Sequence, residues 1–180
     1  RLRSRGLGDV YKRQMPVFVI SLLSQFVYQP VISKMALLWH EKKISQFNKL
    51  ILRQIALILL LSVAAIIGGY LLGIPVLSLI YGVDLTDYKK SLVILLIGGG
   101  ALAIVNFLQM IITVARKQKL LNIGYLLAFL LFVFGGKTIT EKHGMIGISV
   151  FYTAVVMILG AVFIVLTIGI IKGYANSDGK

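Results

Sequence analysis

Ser21, Ser24, Gln25 and Tyr28 fall at i, i+3, i+4 and i+7. On a helix this spacing puts two hydroxyls, an amide and a phenol on one face, with Gln29 beside them. The device recurs at Asn106, Gln109 and Thr113, and in shorter form at Asn122 and Tyr125. Such groups donate and accept hydrogen bonds without carrying charge. Lining a water-filled cavity, they can hold a hydroxyl-rich substrate such as a sugar. Facing a neighbouring helix, they tie the two together, for about 0.6 kcal/mol each on average inside a membrane. Both readings stand for the stripes at 21–29 and 106–113, whereas Asn122 is expected to bond between helices.

The chemistry that is missing narrows the rest. No Asp, Glu, Lys, Arg or His lies well inside the apolar segments that carry these stripes, and it is such groups that mark ion pathways and proton relays in a membrane. His40 and His143 stand beside charged residues with no partner at metal-ligand spacing. The GxSxG, HExxH and P-loop patterns do not occur. No catalytic, cofactor or metal site is therefore expected, and the chain reads as a non-enzyme. Without cysteine it has no disulfides or thiolate ligands.

The elements that must position the stripes follow from composition. The chain is 58% hydrophobic and 14% charged, with mean hydropathy +0.94; soluble domains hold about 45–50% apolar and about 25% charged residues. An all-α, polytopic membrane bundle is predicted. A hydrocarbon core about 30 Å thick takes about 20 apolar residues per helix, and five stretches qualify, at about 16–38, 50–72, 91–114, 120–134 and 145–171. Gly73 and Pro75 interrupt the second, so that Val76–Tyr81 forms either an interfacial turn or a kinked continuation. Gly98, Gly99 and Gly100 in the third, with Gly68, Gly69 and Gly160, suit close helix approach or local bending. Pro30 reads as a kink or helix end. Trp39, Tyr81 and Tyr88 suit the headgroup layer, and Asp84 and Asp87 are solvated loop charges.

Loop charge alternates in step with these spans. The first loop and its flanks carry Lys34, Lys42, Lys43, Lys49 and Arg53, the third carries Arg116, Lys117 and Lys119, and the tail carries Lys172 and Lys180. The second and fourth loops hold Lys89, Lys90, Lys137 and Lys142. Since Lys and Arg are retained inside, loops one and three and the C-terminus are predicted to be cytoplasmic.

The formal net charge of +13 does not indicate nucleic acid, because nearly a third of it comes from the first fourteen residues. Those hold four Arg and one Lys, whereas the remainder holds two Arg and twelve Lys. A basic start before an apolar run fits a secretory signal, but no small-x-small cleavage site closes the run. The eleven residues SRGLGDVYKRQ resemble the translation of a transposon-end adapter from sequencing libraries. Residues 1–14 are accordingly expected to be a non-native leader, ahead of a transmembrane domain at 15–174 and a polar tail at 175–180. Met15 then need not be a start, and the polypeptide is expected to continue on its N-terminal side.

The order of features resembles a known family. The run MPVFVISLLSQFVYQPVISKMALLWHEKKISQFNKLILRQ is followed by GGYLLGIPVLSLIYGVDL, a glycine-rich span ending in VARKQK, then GYLLAFLLF and EKHGMIGISVFY. Over Met15–Ile171 this is similar to the C-terminal half of bacterial polysaccharide-export flippases, of the multidrug/oligosaccharidyl-lipid/polysaccharide exporter superfamily. PVLSLIYG and RKQK are its most distinctive pieces. The resemblance implies a transporter of about a dozen spans in two lobes around a central cavity, of which these five form most of one lobe. It implies an undecaprenyl-pyrophosphate-linked oligosaccharide as substrate, moved across the bacterial cytoplasmic membrane by alternating access for surface polysaccharide. Ser21, Ser24, Gln25, Tyr28, Gln29, Asn106, Gln109 and Thr113 would then face the cavity. Cations for the pyrophosphate would come from the missing N-terminal lobe, and lipids would be the other partners. Two alternatives are a drug or cation antiporter of the same superfamily, which normally uses intramembrane acids, and a five-span scaffold subunit without transport activity.

Overall fold

The computed structural model describes residues 31–82 and 89–177, and all regular structure among them is helical. Residues 31–40 form α1, the end of the first expected span. A turn at 41–43 leads into α2, Ile44–Gly68. A π-helical turn, Gly69–Gly73, joins α2 to α3, Ile74–Tyr81. Then α4 covers Lys89–Val114, a 3-10 turn covers Gln118–Leu120, and helical backbone runs from Leu121 to Ser177 as α5.

Four stretches among the described residues are long and apolar enough to cross a membrane: Ile44–Ile80, Lys89–Val114, Gln118–Gly136 and Ile146–Tyr174. The second expected span is therefore longer than 50–72. The segment after Pro75 continues the helix, as one of the two alternatives foresaw. Pro75 has no N–H to give an α-helical ladder, and the wider π turn before it absorbs the missing bond without ending the helix. Gly82, at φ 68°, stops it, its N–H donating to the Ser78 carbonyl at 2.8 Å. The 37 residues of Ile44–Ile80 make a helix about 55 Å long, against a hydrocarbon core of about 30 Å. Its first turns, where Lys49 and Arg53 are exposed, thus extend past the core.

Helical backbone through α5 conceals two spans. The rings of Phe132 and Phe151 lie 5.4 Å apart, and those of Tyr125 and Phe163 lie 5.5 Å apart. A straight helix would hold the two pairs about 28 Å and about 57 Å apart. The chain therefore doubles back between Gly136 and Ile146, making the fourth and fifth spans an antiparallel pair.

α4 is the centre of the bundle. It runs antiparallel to α2, as the neighbours Ser62 with Gly100 and Gly69 with Leu96 show. It runs parallel to the second limb of α5, as Gly98 with Thr153 and Val105 with Gly160 show. A Cβ at Gly98 would stand 2.8 Å from the Thr153 hydroxyl and 3.2 Å from the Tyr152 ring, and one at Gly100 would stand 2.9 Å from Ser62. Gly98 and Gly100 thus admit different neighbours on different faces of one helix. Gly99, between them, has nothing within 4 Å.

The connections sort to two ends. Tyr174 stacks on Trp39 at 4.2 Å between ring centroids, and its hydroxyl donates to the Trp39 carbonyl at 3.4 Å. Tyr174, the turn at 41–43 and the link at 115–120 thereby share one end, with Lys42, Lys43, Arg116, Lys117 and Lys119 exposed there. Lys89, whose ammonium lies 4.0 Å from the centroid of the Tyr70 ring, belongs to the opposite end. This is the alternation that loop charge predicted. The core is densest towards the basic end, where Met35, Phe47, Phe107, Ile111, Ile112 and Phe163 are buried. Outside it, Leu52, Leu60, Leu79, Phe134 and Val165 are each two-thirds or more exposed. Such apolar surface is a liability in water and costs nothing in lipid.

Gly98→Ala should lower the thermal midpoint of the detergent-solubilised chain, by about 1–3 kcal/mol of overpacking. Gly99→Ala should leave it unchanged or raise it slightly, alanine being the better helix former. Equal effects at the two positions, read by fluorescence-detected size exclusion after heating, would refute the packing described.

Candidate functional site

Of the two polar stripes, the first lies outside the described residues: Ser21, Ser24, Gln25, Tyr28 and Gln29 all precede residue 31. The second is on α4. Asn106 and Thr113 are exposed and Gln109 is half-buried. They lie on the flank of α4 that also carries Leu95 and Gly99, where α5 reaches in at Gln109 and leaves Asn106 and Thr113 exposed.

Two of these residues already have internal partners. The Tyr125 hydroxyl donates to Gln109 Oε1 at 2.6 Å, and the Thr113 hydroxyl donates to the Gln109 carbonyl at 2.8 Å, one helical turn back. Tyr125 is held by its edge-on contact with Phe163. The structure thus brings together Gln109 and Tyr125, which the sequence assigned to separate groups, and their bond ties α4 to the first limb of α5. Asn122 is exposed on α5.

Polar residues of the last span were missed at the sequence level. The Thr153 hydroxyl reaches the carbonyls of Ile94, at 3.0 Å, and Ser149, at 2.9 Å. Ser149 and Thr153 are buried, as is Thr167, whose hydroxyl has no hydrogen-bond partner among the described residues. The i, i+4 spacing of Ser149 and Thr153 was the available signal.

At the basic end a groove of about 1260 Å³ opens between α1, the 115–120 link and the end of α5. Trp39 and Tyr174 form one side, and Arg116, Lys117 and Lys119 lie along the link. Its floor is the α5 surface from Val165 to Gly173. No acidic residue among the described residues lines it. The nearby Glu41 is engaged by Lys43 at 2.8 Å, an exposed pair worth little in itself.

No family model, curated protein or solved structure matches this chain. The chemistry of its surfaces must carry the functional reading. The described spans offer hydrogen-bonding groups at the α4 flank and cations only at their ends. That combination can bind and orient a neutral polar ligand within the membrane and an anion at its boundary.

Removing the Tyr125–Gln109 bond by Tyr125→Phe, by Gln109→Leu and by both should show coupling in thermal unfolding of about 0.6 kcal/mol, and no more than about 1.7. Strictly additive losses would mean that the two side chains do not stabilise the bundle through each other.

Proposed function

We propose that the chain forms most of one lobe of a bacterial transporter that flips lipid-linked oligosaccharide across the cytoplasmic membrane for surface polysaccharide synthesis. The observation that carries this reading is the open flank of α4. Asn106 and Thr113 are exposed at i and i+7 on a helix that buries Ala103, Val105, Phe107, Leu108, Ile111 and Ile112 on its packed side. An amide turned to hydrocarbon without a partner costs several kcal/mol, so such a flank is suited to water, to sugar hydroxyls or to a second lobe. The resemblance of Met15–Ile171 to polysaccharide-export flippases supplies all three.

In this reading the flank contacts the sugars of an undecaprenyl-pyrophosphate-linked unit while two lobes alternate access around a midplane site. The resemblance implies that Ser21, Ser24, Gln25, Tyr28 and Gln29 would face the same cavity. Binding by uncharged groups leaves the glycan free to depart, since each hydrogen bond contributes only about 0.5–1.5 kcal/mol net. The end that bears Arg116, Lys117 and Lys119 is cytoplasmic, in keeping with retention of basic loops.

The gene, extended through its upstream frame, should restore surface polysaccharide to a translocase-deficient host. Asn106→Leu combined with Thr113→Val should reduce export about tenfold at equal protein level, the loss of two hydrogen bonds amounting to about 1–3 kcal/mol. Full export in that variant, or failure of the unaltered gene to complement, would remove the proposal's support.

A further inference from the structure

The groove at the basic end has no part in the transport reading, and we propose that it binds an anionic phospholipid of the adjoining leaflet. The headgroup phosphate sits among Arg116, Lys117 and Lys119, and an acyl chain lies along α5. Four observations converge on this occupant. The groove lies at the end of the spans, where Trp39 and Tyr174 stack in the position of headgroup-layer aromatics. Among the described residues no Asp or Glu lines it, and no acidic side chain pairs with these three cations. Its floor is smooth and apolar: Gly169 and Gly173 are four residues apart on α5, neither with anything within 4 Å of where a Cβ would be, and Val165 and Ile170 flank them. At about 1260 Å³ it exceeds the roughly 300–1,000 Å³ typical of drug-sized ligands.

Backbone geometry explains why the cations face the groove. α4 ends with the Lys117 N–H donating to the Ile112 carbonyl at 3.1 Å and the Arg116 N–H donating to the Thr113 carbonyl at 2.9 Å. This is a Schellman cap, with Arg116 in the left-handed position at φ 57°. The cap satisfies the last carbonyls of α4 through main-chain donors, so the Arg116 and Lys117 side chains are not needed there. Three separate cations on a short link recognise charge more than headgroup shape. That suits a bulk anionic lipid better than a scarce carrier lipid, and basic pockets between membrane helices bind such headgroups.

Trp39 is the sole tryptophan of the chain, so its fluorescence reports the groove directly. The full chain is reconstituted in phosphatidylcholine vesicles containing a minor fraction of chain-brominated lipid, either phosphatidylglycerol or phosphatidylcholine. Brominated phosphatidylglycerol should quench Trp39 with an apparent affinity at least about fivefold higher, one Lys or Arg near an anionic surface being worth about that factor. The preference should shrink as salt is raised from 20 to 500 mM, on the order of the change in screening expected. It should vanish when Arg116, Lys117 and Lys119 are all changed to Gln, with the emission maximum in pure phosphatidylcholine unchanged. If that variant does not fold, the salt series on the unaltered chain decides alone. Equal quenching by the two lipids, or a preference insensitive to salt, would overturn the assignment. So would reversal of the preference by stoichiometric undecaprenyl pyrophosphate in a large excess of phosphatidylglycerol, which would give the groove to the carrier lipid.

Discussion

Where α4 passes α2 and the second limb of α5, the neighbouring side chains occupy the space that a Cβ would need at Gly100 and Gly98. In water, burial of apolar surface would hold such helices together even with a looser fit. In lipid the solvent is as apolar as the side chains, and association rests on van der Waals contact and on hydrogen bonds between helices. Both fall away steeply with distance. The bare backbone at Gly98 lets Thr153 come close enough to reach the Ile94 carbonyl at 3.0 Å, so close approach and polar contact arise from the same missing side chain. The burial of Phe107, Ile111 and Ile112 further along α4 follows from the line this crossing imposes.

How much of this was legible in the sequence depends on the range of the interaction. Span positions follow from a property summed over about 20 residues, and they survive: the expected 91–114 and 145–171 correspond to Lys89–Val114 and Ile146–Tyr174. Loop charge is likewise local, and its alternation agrees with the two ends of the bundle. The π turn at Gly69–Gly73 was visible only as an ambiguity around Pro75, because the register of helical hydrogen bonds depends on what the neighbouring helix tolerates. Pairing of Trp39 with Tyr174, 135 residues apart, has no sequence signature. The same is true of Gln109 with Tyr125: their types and helical faces could be read, but not that the two faces meet. For the stripe at Ser21–Gln29 the sequence remains the whole of the description.

The two helix ends that create the basic end share a device. After α1, the Lys43 N–H donates to the Leu38 carbonyl and the Lys42 N–H to the Trp39 carbonyl, with Lys42 at φ 58°. This repeats the bonds at Arg116 and Lys117. A left-handed residue with a side chain costs about 1–2 kcal/mol where glycine would cost nothing. A cation at a helix C-terminus recovers about 0.3–1 kcal/mol from the helix dipole, which does not fully close the gap. Two repetitions of a residue choice that is locally unfavourable point to a benefit outside the cap. The phospholipid proposed for the groove would supply one, since its phosphate would attract the cations that the cap displays.

Polar groups in these spans divide by what they do with their hydrogen bonds. Thr153 and the Gln109–Tyr125 pair use them between elements of the bundle, and the Thr113 hydroxyl uses one on its own helix. A hydroxyl bonded back to its helix still has lone pairs to accept from a ligand, whereas the exposed amide of Asn106 needs a polar partner to offset the cost of facing hydrocarbon. If α4 served only to tie helices together, an apolar residue at 106, like Leu95 and Leu102 on the same flank, would cost less in hydrocarbon. An amide there, apart from the Gln109–Tyr125 and Thr153 bonds that hold the bundle together, is suited to a polar partner outside the bundle, as the proposed function requires.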